Sequence, residues 1–164
     1  MKKKHVLAIA SAGGHWVQLQ RMRPAWSNCR ISYVTTLDGY KQQVTSDAYA
    51  RGWEEPEYFV VTDANRWQKF RLLKQVLEIL FLIIRLRPDV VISTGAAPGF
   101  FAIKLGKIFG AKTIWIDSIA NAEELSLSGR KVRNSADLWI TQWEHLATSD
   151  ENCNEKPKFF GSVI

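Results

Sequence analysis

Residues 89–117 read DVVISTGAAPGFFAIKLGKIFGAKTIWID and contain a strand, a small-residue turn, a helix and a second strand. DVVIST (89–94) is a short apolar run set off by Pro88. Gly95 to Gly99 break it, AAPGFFAIKLGKIFG (96–110) follows as a helical stretch, and KTIWID (112–117) is apolar again. Neither strand alternates polar with apolar, the pattern of strands covered on both faces. Two such strands joined by a helix read as parallel neighbours with a crossover.

The same alternation extends in both directions. HVLAIA (5–10) leads to a helix over His15 to Met22, RISYVTT (30–36) to one over Gln42 to Ala50, and EYFVVT (57–62) to a long one over Trp67 to Leu86. After 117 come a helical or looped stretch with EELSLSGRKVRNSAD (123–137), the strand LWITQW (138–143), and a tail, ENCNEKPKFFGSVI (151–164), read as exposed loop with one last short strand. The expected fold is α/β, a single Rossmann-like doubly wound parallel sheet filling one domain over residues 1–164.

Composition agrees. The 164 residues allow one sizeable core, and 46% hydrophobic with 23% charged residues is a globular mixture. A formal charge of +6 favours anionic partners such as nucleic acid, an acidic leaflet or phosphorylated ligands. Cys29 and Cys153 stand far apart without metal-ligand spacing, so the reading is a reducing cytosol with no metal site. The basic Met1–Lys4 start precedes only a strand-length apolar run, too short for a secretory signal, and no run of ~18 uncharged apolar residues occurs.

In an open doubly wound sheet, ligands bind beyond the carboxyl ends of the strands, where the strand order reverses. The first and fourth strands commonly flank that point, and here both end in small residues: Ser11-Ala12-Gly13-Gly14-His15 and Ser93-Thr94-Gly95-Ala96-Ala97-Pro98-Gly99. Each turn brings a helix N-terminus, with its free N–H groups, to the crevice. Glycine lets the backbone approach an anion, Pro98 suits a first helical turn, and a diphosphate is the natural guest. The plainer reading is a tight strand-to-helix connection. Neither GxGxxG with its acidic ribose partner nor a Gly-Lys-Ser/Thr loop is present, which argues against NAD and ATP; no cofactor is expected.

His15, at the head of a helix facing such a site, can donate to phosphate or act as general base, or merely cap the turn. Asp117 and Ser118 arrive at the same edge, as do Trp143 and Glu144. Asp117 can bind or deprotonate a sugar hydroxyl, or equally cap the segment after it. Ser126, Ser128, Gly129 and Arg130 form a polar, basic loop that either closes on phosphate or is solvated. His5 and His145 read as structural.

The stretch RWQKFRLLKQVLEILFLIIRLRP (66–88) interleaves Arg66, Lys69, Arg71 and Lys74 with Trp67, Phe70, Leu72 and Leu73, then turns apolar almost all round. It fits a helix at a membrane interface with cations toward anionic headgroups, Trp67, Phe70, Arg71 and Lys74 being the contact residues. It fits a crossover helix with a basic exposed end as well. Trp16, Trp26 and Trp53 are further candidate interfacial anchors.

Taken in order, SAGGH (11–15), DVVISTGAAPGFFAIKLGKIFGAKTIWIDS (89–118) and LSLSGRKVRNSADLWITQW (125–143) resemble the PssD-type bacterial exopolysaccharide proteins and the eukaryotic asparagine-linked-glycosylation protein fourteen family. More distantly they resemble the N-terminal half of MurG-like GT-B glycosyltransferases. The resemblance covers most of the chain, with Gly39 to Arg87 least distinctive. It implies the acceptor-binding subunit of a two-component glycosyltransferase, active with a separate donor-binding subunit that resembles the MurG C-terminal half and carries the nucleotide-sugar. The acceptor is a polyprenyl-diphosphate-linked saccharide, and the chain sits peripherally on the cytoplasmic face of the membrane, on an anionic surface.

By position, Gly13, Gly14 and His15 match the glycine-rich acceptor loop, and Gly95, Pro98 and Gly99 the second glycine loop. Asp117 falls where relatives carry an acidic residue. Ser11, Ser93, Thr94, Ser118 and Arg130 complete the expected acceptor and phosphate contacts, with His15 the first candidate base and Asp117 the second. Two departures stand out. Eukaryotic relatives carry an N-terminal membrane span that is absent here, so anchoring is expected to be peripheral or through a partner. Many relatives have an arginine where this chain has Asn121. The alternative function is a non-catalytic scaffold that recruits a catalytic partner to the membrane. Charge alone suggests nucleic acid, and without a reading motif none is expected as a partner.

Overall fold

The computed structural model describes residues 3–65, 67–148 and 156–163. Met1 and Lys2 of the basic start, Arg66 of the long helical stretch, and residues 149–155 of the tail with Cys153 lie outside the described residues. Strands β1 (His5–Ile9), β2 (Arg30–Thr35), β3 (Glu57–Val60), β4 (Val90–Ser93), β5 (Lys112–Ile116), β6 (Leu138–Thr141) and β7 (Lys158–Phe159) alternate with helices. The helices are α1 (Gly14–Arg21), α2 (Lys41–Ala50), α3 (Lys69–Leu86), α4 (Ala96–Ile108) and α5 (Leu127–Val132). The described strands form a seven-stranded sheet in the order β3-β2-β1-β4-β5-β6-β7, and every neighbouring pair is parallel. This is the expected doubly wound α/β fold.

The inner strands of the sheet are covered on both faces, because side chains alternate across it into two cores. From β1, Leu7 and Ile9 join Ile79 and Ile83 of α3 and Ile103 of α4. Val6, Ala8 and Ala10 join Trp16 and Leu19 of α1 and Val44 of α2 on the opposite side. This two-sided burial explains why the strands read as unbroken apolar runs. Trp16 and Trp26, counted as candidate membrane anchors from sequence, are instead core residues: Trp16 stacks on Tyr40 with ring centroids 5.1 Å apart, and Trp26 Nε1 donates to the Tyr33 hydroxyl at 3.1 Å. Trp53 lies half-buried beneath the Arg51 guanidinium.

Helix α3 starts at Lys69, two residues after the expected Trp67. Asn65 is the cause: its side-chain oxygen accepts the Trp67 N–H and its carbonyl accepts the Gln68 N–H, both at 3.0 Å, holding the chain in a turn. One face of α3 is buried through Gln75, Ile79, Leu82 and Ile83. The other exposes Phe70, Leu73, Leu77, Phe81 and Ile84 at helical spacing. Among the described residues no helix is long and apolar enough to cross a membrane.

The reversal of strand order falls between β1 and β4, which are adjacent and in register, Ile9 opposite Ser93. The Ser11–Gly14 and Thr94–Gly95 turns therefore leave the sheet side by side.

Candidate functional site

Both turns are shaped by glycine. Gly13 precedes α1 with φ 83°, and Gly95 precedes α4 with φ 139°. These are backbone conformations that side chains disfavour. Neither helix has a side-chain cap at its N-terminus, so first-turn amides of both are left for another acceptor. The Ala12 N–H is held by Thr36 Oγ1 at 3.1 Å and the Gly13 N–H by the Tyr40 hydroxyl at 3.3 Å, which tie the first turn to the loop after β2. Ser11 is half-buried, and Gly13 and Gly14 are exposed.

His15 joins the two turns. Its Nδ1 lies 2.9 Å from the Thr94 carbonyl, and Thr94 Oγ1 donates to the His15 carbonyl at 2.7 Å. A carbonyl only accepts, so Nδ1 carries hydrogen and the neutral ring keeps its lone pair on Nε2. Nε2 has no partner among the described residues and the ring is half-exposed. Chemically, this is an oriented proton acceptor set between two uncapped helix N-termini. Thr94 is itself fully buried.

Ser93, Pro98 and Gly99 lie under the second turn. Ser93 Oγ accepts the Gly95 N–H at 3.1 Å, and a Cβ on Gly99 would stand 1.9 Å from that same oxygen. Ser93 is wholly buried, and its hydroxyl is directed to the turn's own backbone.

Asp117 is 2% exposed and occupies the edge beyond β5. Oδ1 accepts the Ser118 N–H and Asn121 Nδ2, both at 3.1 Å, and Oδ2 accepts the Ser126 N–H at 2.8 Å. Gly129 closes over it, since a Cβ there would meet Oδ2 at 2.7 Å. The carboxylate thus draws residues 118–126 into a closed loop, with Asn121 as one of its donors. Ser126 caps α5 by accepting the Gly129 N–H. Arg130 points outward and pairs with Glu124 at 2.9 Å. Trp143 Nε1 donates to the Ile119 carbonyl at 2.8 Å.

Two glutamines escaped the sequence reading. Gln18 and Gln142 are buried, and each donates its amide to the Asp117 carbonyl at 3.2 Å. Gln18 Oε1 also accepts the Ile119 N–H at 3.1 Å. Gln18 follows His15 by three positions on α1, and a polar residue on that inward face was the available signal. Among the described residues no group of three or more His, Cys, Asp or Glu is placed to hold a metal ion.

Trp67, Phe70, Arg71 and Lys74 do not reach this crevice's hydrogen-bond network. They stand exposed in the first turns of α3 and, for Trp67, in the turn just before it, Phe70 at 90% and Trp67 at 77%.

A parallel sheet with glycine-shaped turns at the β1/β4 reversal defines a Rossmann-like half of the kind that forms the N-terminal part of MurG. The structure of Acinetobacter baumannii MurG superposes with a TM-score of 0.70 at 13% identity, covering 97% of this chain and 45% of that one. A glycosyltransferase structure from Rickettsia africae ESF-5 gives 0.64 at 14%, over 98% and 43%. A UDP-N-acetylglucosamine 2-epimerase from Rickettsia bellii also gives 0.64, at 15%, over 98% and 45%. At these identities the likeness is one of fold.

The chain belongs to the family described as oligosaccharide biosynthesis protein Alg14 like, which it matches over residues 60–162. A mouse protein named UDP-N-acetylglucosamine transferase subunit ALG14 is 38% identical over 74 residues, 40% of this chain and 33% of that protein. The protein of that name from Eremothecium gossypii is 21% identical over 98% of this chain and 80% of its own length. The chain thus spans a third of the mouse relative and under half of each solved structure.

Proposed function

We propose that this chain is the acceptor-binding subunit of a two-component glycosyltransferase, working at the cytoplasmic face of the membrane on a polyprenyl-diphosphate-linked saccharide. The observation that carries the reading is the His15–Thr94 pairing between two uncapped helix N-termini. An acceptor diphosphate set against those amides satisfies groups that otherwise lack a partner. The saccharide hydroxyl then meets His15 Nε2.

The chemistry follows from that placement. Nε2 takes the proton of the acceptor hydroxyl, and the oxygen bonds to the anomeric carbon of the donor sugar. The bond from that carbon to the nucleoside diphosphate breaks, its electron pair leaving with the diphosphate, and the imidazolium returns its proton to solvent. The nucleotide-sugar is held by a separate donor-binding subunit resembling the MurG C-terminal half, in keeping with the relatives' naming as transferase subunits. Asp117, with three donors on its carboxylate, shapes the loop at the edge of the acceptor site and is the weaker candidate for the base. Ser11 and Ser118 remain candidate acceptor contacts. The exposed α3 face with Trp67, Phe70, Arg71 and Lys74 rests on the anionic leaflet.

His15→Ala in the assembled enzyme tests the reading. Loss of the base slows turnover ~100-fold to 10,000-fold, with acceptor KM little changed. Turnover within a few-fold of normal at saturating acceptor rejects the catalytic role and leaves a membrane-recruiting scaffold. Flotation with phosphatidylglycerol vesicles tests the membrane face: Phe70→Ser with Lys74→Gln should abolish co-flotation, and unchanged flotation rejects that surface.

A further inference from the structure

We propose that a second cavity, beside the N-terminus of α4, takes the first units of the acceptor's hydrocarbon chain, so that one amphiphile runs from the His15 crevice into it. This rests on the acceptor reading above. The cavity measures about 660 Å³, within the roughly 300–1,000 Å³ usual for small-molecule sites. Its walls are Leu72 of α3, Ala97, Phe100 and Phe101 of α4, and Leu127 of α5. The Phe100 and Phe101 rings meet edge to face at 5.2 Å, which gives the site an aromatic wall.

Two observations say what fits there. The first is continuity. Ala96 and Ala97 line the cavity and directly follow Gly95, the residue against which the His15 ring packs. Trp67 also lines the cavity and stands exposed just before α3, whose outer face is apolar. The second is charge. Lys131 lines the cavity, is exposed and makes no ion pair among the described residues, so a cation is left over beside an apolar chamber. Uncapped helix amides, a cation, hydrocarbon walls and an exposed tryptophan therefore meet around one cavity. A diphosphate joined to a long apolar chain carries the complementary groups, an anion at one end and hydrocarbon beyond it. A chain drawn from a bilayer to His15 without such a passage would expose its first carbons to water, and the cavity removes that cost.

Titration calorimetry of the full chain with farnesyl diphosphate, inorganic diphosphate and farnesol tests the proposal. Farnesyl diphosphate should bind at least ~30-fold tighter than inorganic diphosphate, the worth of a few buried methylene groups, and inorganic diphosphate should displace it. Leu72→Trp, which fills the chamber from the α3 side, should erase the advantage while leaving inorganic diphosphate unchanged. Leu127→Ser, at a half-exposed wall position, should reduce it ~3-fold to 10-fold. Equal affinities for the two diphosphates overturn the cavity assignment and leave the acceptor reading standing. Farnesol binding as tightly as farnesyl diphosphate, without displacement by inorganic diphosphate, overturns the single-amphiphile path. No binding of either diphosphate overturns both. Full retention of the advantage in Leu72→Trp and Leu127→Ser places the chain elsewhere.

Discussion

The His15 imidazole lies directly on the backbone of Gly95: a Cβ at position 95 would stand 2.5 Å from both Cε1 and Nδ1 of the ring. With φ at 139°, Gly95 meets two demands that no other residue meets together. Gly95→Ala should therefore behave as a lesion of His15. The ring is displaced from Thr94, turnover of the assembled enzyme drops ~100-fold or more, and backbone strain costs about 1–3 kcal/mol. Urea unfolding and single-turnover kinetics on the same sample separate the two effects. Normal turnover in Gly95→Ala would mean that the ring's position is irrelevant to catalysis.

The Thr94 carbonyl fixes which nitrogen of His15 carries hydrogen. In the neutral ring, ¹⁵N-detected NMR should show a protonated Nδ1 and a bare Nε2. Thr94→Val keeps that carbonyl while removing the hydroxyl that holds the His15 backbone, so the tautomer should persist while stability falls by about 1 kcal/mol. A ring protonated at Nε2 would leave no base facing the crevice and would sink the proposed mechanism.

How far the sequence discloses this site depends on the kind of residue. The order of strands and helices follows from apolar runs broken by small residues, and the β1/β4 turns are marked by Gly13, Gly14, Gly95 and Gly99. The place of His15 at the end of the first turn is legible, because it follows the two glycines directly. Its partner is a backbone carbonyl, which leaves no mark in sequence. The tryptophans mislead for a similar reason: Trp16 and Trp26 look alike to Trp67 in a linear chain, and only packing against Tyr40 and Tyr33 separates core from surface. Gln18 shows in sequence only as a polar residue on an inward helix face, and Gln142 not at all, because what both grip, the Asp117 carbonyl, is again main chain.

Asp117 offers a discriminating substitution. Its carboxylate accepts three hydrogen bonds in a buried position, and an amide in its place turns one acceptor into a donor facing a donor. Asp117→Asn should cost about 2–4 kcal/mol and open residues 118–126 to limited proteolysis. Turnover per folded molecule should fall far less than in His15→Ala. A fully stable Asp117→Asn protein with ~1,000-fold slower turnover would instead make Asp117 the base.

Gly99 lets α4 settle on β4, since its Cβ would fall 1.9 Å from Ser93 Oγ and 2.9 Å from Ser93 Cβ. Gly99→Ala should cost about 1–3 kcal/mol by overpacking. Because both clashes are with one side chain, Ser93→Gly in the same chain should restore most of that loss, a coupling that a double-mutant cycle reads directly. Additive losses would place the strain in the helix itself.

Asp137 ties the start of β6 to β5, accepting the Thr113 N–H at 2.9 Å and the Thr113 hydroxyl at 3.0 Å, with Lys107 bonded to its other oxygen. Burial pushes its carboxyl up, but the Lys107 ammonium and the Thr113 donors outweigh it and hold it below the ordinary aspartate value. A carboxylate lowered in the folded state takes up its proton there only after the unfolded chain has done so. Its stabilisation is therefore complete above the ordinary aspartate range, near pH 4, and disappears as pH falls through the lowered native value. Asp137→Asn should be about 1–3 kcal/mol less stable than wild type at pH 7. That gap should narrow as both proteins are titrated with acid below pH 4. Urea midpoints measured from pH 7 down to 2 read the difference, and a gap that stays constant over this range would show that the Asp137 charge contributes nothing to holding β5 and β6 together.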